Sequence, residues 1–145
     1  MEAPPMQAPR TDAPRRALFS GDRDTTPYWA ALAKGGLQIQ HCRDCGAWTW
    51  PPRLICSGCH GENLEWTPTD GAGEVYSWVV SHRPGAPDYV NLTPYVVALV
   101  RLDIQPDILI PGRLITDQEV RQGMRVRAQA EHITDEIGRL NWVPE

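Results

Sequence analysis

Four cysteines, Cys42, Cys45, Cys56 and Cys59, stand as two C-x2-C pairs with ten residues between them. Two tight turns of this kind bring four sulfurs to the corners of a tetrahedron around one soft cation. Four thiolates leave no open coordination position, so the ion would tie the chain together rather than activate water. Gly46 follows the first pair and Gly58 lies inside the second. Such small residues let the backbone bend and turn its amides toward sulfur. Structural zinc is the leading reading. Iron in a rubredoxin-like site uses the same geometry, but no second redox group accompanies it. Disulfides or free thiols are the remaining alternative, disfavoured in a reducing compartment. His41 and His60 flank the cysteines as spare ligands, and a saturated four-sulfur shell makes them knuckle surface residues instead.

No Ser, Cys or His sits in a sequence context that pairs a nucleophile with a base, and no Gly-rich phosphate loop is present. The chain is therefore expected to be non-catalytic. Its 18 acidic and 14 basic residues give a net charge of −4, which argues against gripping a polyphosphate backbone. Lys34 is the only lysine; every other basic residue is Arg, whose fork suits bidentate contacts with phosphate or carboxylate. With 41% hydrophobic and 22% charged residues the composition is that of a soluble globular protein. The apolar run at residues 95–100 falls far short of the roughly 20 residues a membrane span needs. The start of the chain lacks the apolar stretch of a secretory signal, so a cytoplasmic location and no membrane partner are expected.

The elements that position the cysteines follow from the flanking sequence. Residues 1–18 carry Pro4, Pro5, Pro9 and Pro14 and few apolar side chains, and are read as a disordered tail. Residues 19–36 form an N-terminal helix region: Thr25 or Thr26 caps, Pro27 suits the first turn, and Gly35 and Gly36 stop it. So short a helix must dock through Tyr28, Trp29 and Leu32. Residues 37–68 are the metal ribbon. Pro51 and Pro52 exclude a regular helix there, and Trp48, Trp50 and Trp66 are read as packing for a module too small to have its own core.

Residues 69–145 are predicted to be a barrel, with strands at 73–82, 95–102, 108–115, 125–133 and 139–143. A Thr116/Glu119 capping box closed by Gly123 predicts one short helix between the third and fourth strands. The fold class is thus mainly β: a short N-terminal helix, a rubredoxin-like zinc ribbon, then a five-stranded OB-fold barrel. This barrel carries seven Arg against eleven acids, unlike the basic groove of an OB fold that binds nucleic acid. Along its first strand Tyr76, Trp78 and Val80 alternate with Val75, Ser77 and Val79, so both faces are largely apolar. That suits either a central barrel strand or one covered by a partner.

The order Cys42-Arg43-Asp44-Cys45-Gly46, Trp50-Pro51-Pro52-Arg53, Cys56-Ser57-Gly58-Cys59, Leu64-Glu65-Trp66, Gly73-Glu74-Val75-Tyr76-Ser77 and Pro94-Tyr95-Val96-Val97 closely resembles small zinc-ribbon plus OB-fold proteins of acyl-CoA metabolism. The resemblance covers about residues 19–145, with Ser57 standing where such proteins often have Pro. It implies a non-catalytic accessory subunit, docked by its barrel on a thiolase-like enzyme (acyltransferase, condensing enzyme or steroid side-chain aldolase) and helping form the acyl-CoA channel. A MaoC-like enoyl-CoA hydratase is the alternative partner, and a nucleic-acid or protein-binding adaptor the rival from another class. On the same resemblance Arg43, Trp50 and Arg53 are candidate contacts for coenzyme A, the complex is a hetero-oligomer, and the metal is structural zinc.

Overall fold

The structure, a computed structural model, describes residues 24–85 and 87–145. The tail expected over residues 1–18 and the first part of the helix region, residues 19–23, lie outside the described residues. Helix α1 spans Thr26–Ala33. Pro27 occupies its first turn, where a missing N–H costs nothing. The Thr25 carbonyl closes that turn, accepting from the amides of Tyr28 at 3.0 Å and Trp29 at 3.3 Å. At the other end Gly35 takes φ +90°, which an L side chain resists. Its amide donates to Leu32 O at 3.0 Å and that of Gly36 to Ala31 O at 3.0 Å. This double bond pattern terminates α1 where the Gly-Gly pair predicts.

Three antiparallel strands follow, β1 (Leu37–Cys42), β2 (Trp48–Thr49) and β3 (Leu64–Thr69), in the order β2-β1-β3. A turn at residues 70–72 then leads into the barrel. Its strands are β4 (Gly73–Ser81), β5 (Tyr95–Leu102), β6 (Leu109–Leu114), β7 (Arg125–His132) and β8 (Gly138–Pro144). They close in the order β4-β5-β6-β8-β7, with β6 and β8 parallel and the other pairs antiparallel. All five predicted strands are present within two residues of their expected limits. The loop before β5 contains one 3-10 segment, Pro87–Leu92. No helix among the described residues is long and apolar enough to cross a membrane.

The helix expected at residues 116–123 does not form. The Thr116 hydroxyl accepts from the amide of Gln118, two residues on, which closes a local turn in place of a helix cap. Gly123 sits at φ +81° and sends its amide to Val75 O at 2.8 Å, in β4. Backbone groups satisfied by a turn and by the barrel leave nothing to offset the nucleation cost of a one-turn helix.

One core serves ribbon and barrel together. Leu37 and Ile39 of β1, Tyr28 and Leu32 of α1, and barrel residues around the fully buried Trp142 form a single apolar cluster. Trp48, Trp50 and Trp66 pack against it, which is the structural role expected of them. Two glutamines stand in for missing strand partners. The Gln105 amide bonds both the N–H (2.8 Å) and the C=O (2.9 Å) of Trp48, and Gln40 does the same for Arg53, at 2.8 and 2.9 Å. The tightest contact is at Gly138, where a Cβ would overlap the backbone of Leu32 and Ala33. Gly138→Ala must lift α1 off the barrel. Its expected cost is about 1–3 kcal/mol, the usual range for overpacking, read as a lower urea midpoint at an unchanged m-value.

Candidate metal centre and its surroundings

Each cysteine pair sits on a knuckle with the same hydrogen-bond plan. In the first, the Cys42 amide donates to Ala47 O at 2.8 Å and Gly46 N to Cys42 O at 2.9 Å. In the second, Cys56 N donates to Gly61 O at 2.8 Å and His60 N to Cys56 O at 3.1 Å. The left-handed residue is Gly46 in the first knuckle (φ +77°) and His60 in the second (φ +61°). Gly58 serves by its size: a Cβ there would lie 3.2 Å from that of Ala47 and 3.3 Å from Cys45 Sγ. Its amide points at Cys56 Sγ from 3.3 Å.

The four sulfurs lie within 4.8 Å of one another, with Cys42 to Cys59 at 3.7 Å and Cys45 to Cys56 at 3.6 Å. A tetrahedron of Zn–S bonds of about 2.3 Å has edges of about 3.8 Å, so zinc fits without moving the chain. A disulfide would need sulfurs about 2.05 Å apart. The amides of Cys59 and Gly58 favour the Cys56 thiolate and lower that thiol to about 6. At Cys59 the Gly61 amide acts in the same direction, but the neighbouring Cys42 and Cys45 sulfurs outweigh it and push the thiol up to about 12. Four thiols so close cannot all ionise alone, and a divalent cation is what relieves them. Neither histidine joins the cluster: His41 stacks on Trp48 with ring centroids 4.5 Å apart, and His60 is exposed.

The three candidate coenzyme contacts are placed separately. Arg43, at the tip of the first knuckle, is ion-paired with Glu65 across the β1–β3 ladder, and this guanidinium holds the Glu65 carboxyl below its usual range. Trp50 turns inward, its ring 4.7 Å from that of Tyr28. Arg53 is exposed, its backbone fastened by Gln40.

A second group of polar residues escaped the sequence reading. Arg113 of β6 and Arg139 of β8 face a cavity of about 310 Å³ under α1, walled by Tyr28, Trp29, Tyr89 and Tyr95. The only signal was the Pro111-Gly112-Arg113 break in an apolar strand. Nothing in the sequence announces that β6 and β8 run side by side.

A metal-bearing ribbon joined through a helix to a closed five-stranded barrel, with no nucleophile and base assembled by its cysteines, defines a zinc-ribbon plus OB-fold protein. Residues 29–65 match the family described as "ChsH2, rubredoxin-like zinc ribbon domain", and residues 66–131 that described as "ChsH2, C-terminal OB-fold domain". A "DUF35 domain-containing scaffold protein" of Pyrococcus furiosus is 31% identical over 108 residues, covering 74% of this chain and 79% of its own. The chain belongs to the DUF35 family of ChsH2-type zinc-ribbon and OB-fold proteins. A "Probable enoyl-CoA hydratase alpha subunit" of Thermomonospora curvata is 35% identical over 96 residues, 66% of this chain but only 28% of that longer protein. The solved structure named "Ltp2-ChsH2(DUF35) aldolase" superimposes with a TM-score of 0.76 at 27% identity, over 88% of this chain and 98% of that one.

The structural metal is zinc, held by Cys42, Cys45, Cys56 and Cys59. Elemental analysis of the purified chain is expected to give about one zinc per molecule with no visible absorbance. Cys56→Ser is expected to lose most of that zinc and to unfold the ribbon; iron at one equivalent would overturn the assignment.

Proposed function

We propose that this chain is a non-catalytic scaffold subunit of a thiolase-superfamily enzyme that acts on acyl-CoA, docking through its barrel and contributing to the channel that receives the thioester. The observation that carries the reading is strand β4. It pairs with β7 only at Gly73 and Glu74, then bulges between Val75 and Ser77. Beyond the bulge it keeps β5 on one side, and no described strand lies on the other. Tyr76, Trp78, Val79 and Val80 are all exposed there, Val79 at 64%. Apolar side chains on both faces of an unpaired strand edge suit a partner that covers the face and continues the sheet.

The family resemblance and the aldolase named with the structural neighbour support an enzyme partner. They favour a thiolase-type one in particular. The name of the Thermomonospora curvata relative favours a second reading, a hydratase partner, in which this chain plays the same supporting part. In either case catalysis belongs to the partner. Arg43, Arg53 and the rim of Trp50 are then the ribbon groups proposed to meet the coenzyme's phosphates and adenine.

Affinity purification of the tagged chain from its native cell, with mass spectrometry after a moderate-salt wash, is expected to recover a thiolase-superfamily enzyme in near-equal amount. A hydratase would move the weight to the second reading, and nucleic acid or no enzyme would overturn both. The double variant Trp78→Asp, Val79→Asp is expected to cut that recovery by roughly tenfold or more, as charging the centre of an apolar contact does, with zinc content unchanged. With the complex in hand, Arg43→Ala, Arg53→Ala and Trp50→Ala are expected to raise KM for acyl-CoA several-fold. Unchanged KM in all three removes the ribbon from the channel.

A further inference from the structure

The cavity under α1 holds more positive charge than the described residues around it neutralise. Arg139 donates to Glu131 Oε1 at 3.2 Å, and the Asn141 amide donates to Glu131 Oε2 at 2.8 Å, so both oxygens of that carboxylate are engaged from β8. The side chain of Arg113, one strand over, has no hydrogen bond or ion pair with any described residue. Its Nε is buried without an acceptor, and so is the Nε of Arg139. Burial, and then the charge of Arg139, depress the Arg113 guanidinium from its ordinary value, with Glu131 only partly offsetting them. Among the described residues, two guanidiniums and one carboxylate leave a half-buried positive charge, a costly arrangement unless an anion completes it.

The rest of the cavity selects what carries that anion. Tyr28 and Trp29 meet edge to face on α1, 4.9 Å apart, while Tyr89, from the loop before β5, and Tyr95, at its start, stand 5.9 Å apart. The Tyr89 hydroxyl takes a 3.4 Å contact from Arg139, tying that wall to the charged floor. Gly112 also lines the cavity, and a Cβ there would meet the ring nitrogen of the buried Trp142 at 2.7 Å. A volume of about 310 Å³ is the small end of ligand pockets. Aromatic walls accept a planar body, and guanidinium forks accept phosphate or carboxylate oxygens in pairs.

We propose that the cavity between α1 and strands β5, β6 and β8 binds a ring-bearing oxyanion, with phosphate or carboxylate held by Arg113 and Arg139 and the ring against the tyrosine and tryptophan walls. The site is separate from the β4 edge and from the ribbon arginines. It requires no partner enzyme, so the failure of either reading leaves the other standing.

The test is calorimetric titration of the zinc-loaded full chain, at low salt, with adenosine 3′,5′-bisphosphate, phenylacetate and inorganic phosphate. One of the two ring-bearing probes is expected to bind saturably and about tenfold or more tighter than inorganic phosphate. The nucleotide as the better ligand identifies a nucleotide end as the natural occupant, and phenylacetate a small aromatic acid. Arg113→Gln is expected to weaken binding by about tenfold or more, the loss of a charge-assisted contact, while Arg121→Ala, at an exposed position outside the cavity, leaves it unchanged. Where Arg113→Gln does not fold, Tyr89→Ala at the cavity wall is expected to weaken binding several-fold. Absence of binding by both ring-bearing probes, equal affinity for inorganic phosphate, or unchanged affinity in the folded variants overturns the proposal.

Discussion

The packing of α1 on Gly138 is the contact on which the rest of the architecture depends. A metal ribbon has too few residues to make a core, and an OB barrel has an end that must be closed. Both needs are met by one short helix, which buries Leu32 and Tyr28 completely or nearly so, at 0% and 3% exposure. A helix of eight residues has no stability of its own to spare. It is held because Gly138 lets its backbone approach the barrel, and because β1 enters the core immediately after the Gly35–Gly36 stop. The same helix supplies one wall of the arginine cavity and the ring on which Trp50 rests. Ribbon, barrel and cavity therefore share a single support.

Charge is distributed unevenly on this frame. The chain is acidic as a whole, and several ion pairs lie on its exposed surface, such as Arg125 with Asp103 at 2.8 Å and with Glu145 at 3.4 Å. Exposed pairs of this kind add little to stability, because solvent and salt screen them. The pair of Arg139 with Glu131 is different: both side chains are about 80% covered, at 20% and 21% exposure, and Asn141 joins them. Placing a further arginine beside that pair is an expense the fold meets in stability, and such expenses gather at sites of function.

Much of this was legible in the sequence, for identifiable reasons. The C-x2-C pairs announce the metal because ligand spacing is local, and the barrel strands announce themselves through alternation between Gly, Pro and Asp boundaries. Residues 116–123 misled because Thr116, Glu119 and Gly123 carry helix-end signals that a turn uses equally well. The backbone partner that decided the matter, Val75 O, lies far away in the chain. The left-handed position of the second knuckle was assigned to no residue, because His60 takes it without the glycine that marks the first. The arginine cavity was hidden for a similar reason. Arg113 and Arg139 are neighbours only through the parallel pairing of β6 with β8, in which Arg113 is opposite Asn141. Register across a barrel closure is a property of the whole fold.

Strand β4 has a consequence beyond recognition. Natural sheets guard an open edge with lysine, proline or inward charge. The stretch from Tyr76 to Ser81 has none of these, its nearest charges being Glu74 before it and Arg83 after it. An uncovered edge of this composition templates the addition of other strands, so a chain left alone is exposed to aggregation and to the quality-control machinery that removes such species. On the proposed docking through β4, the strand would act as a gauge of supply: the amount of this protein a cell keeps would follow the amount of the partner that covers it.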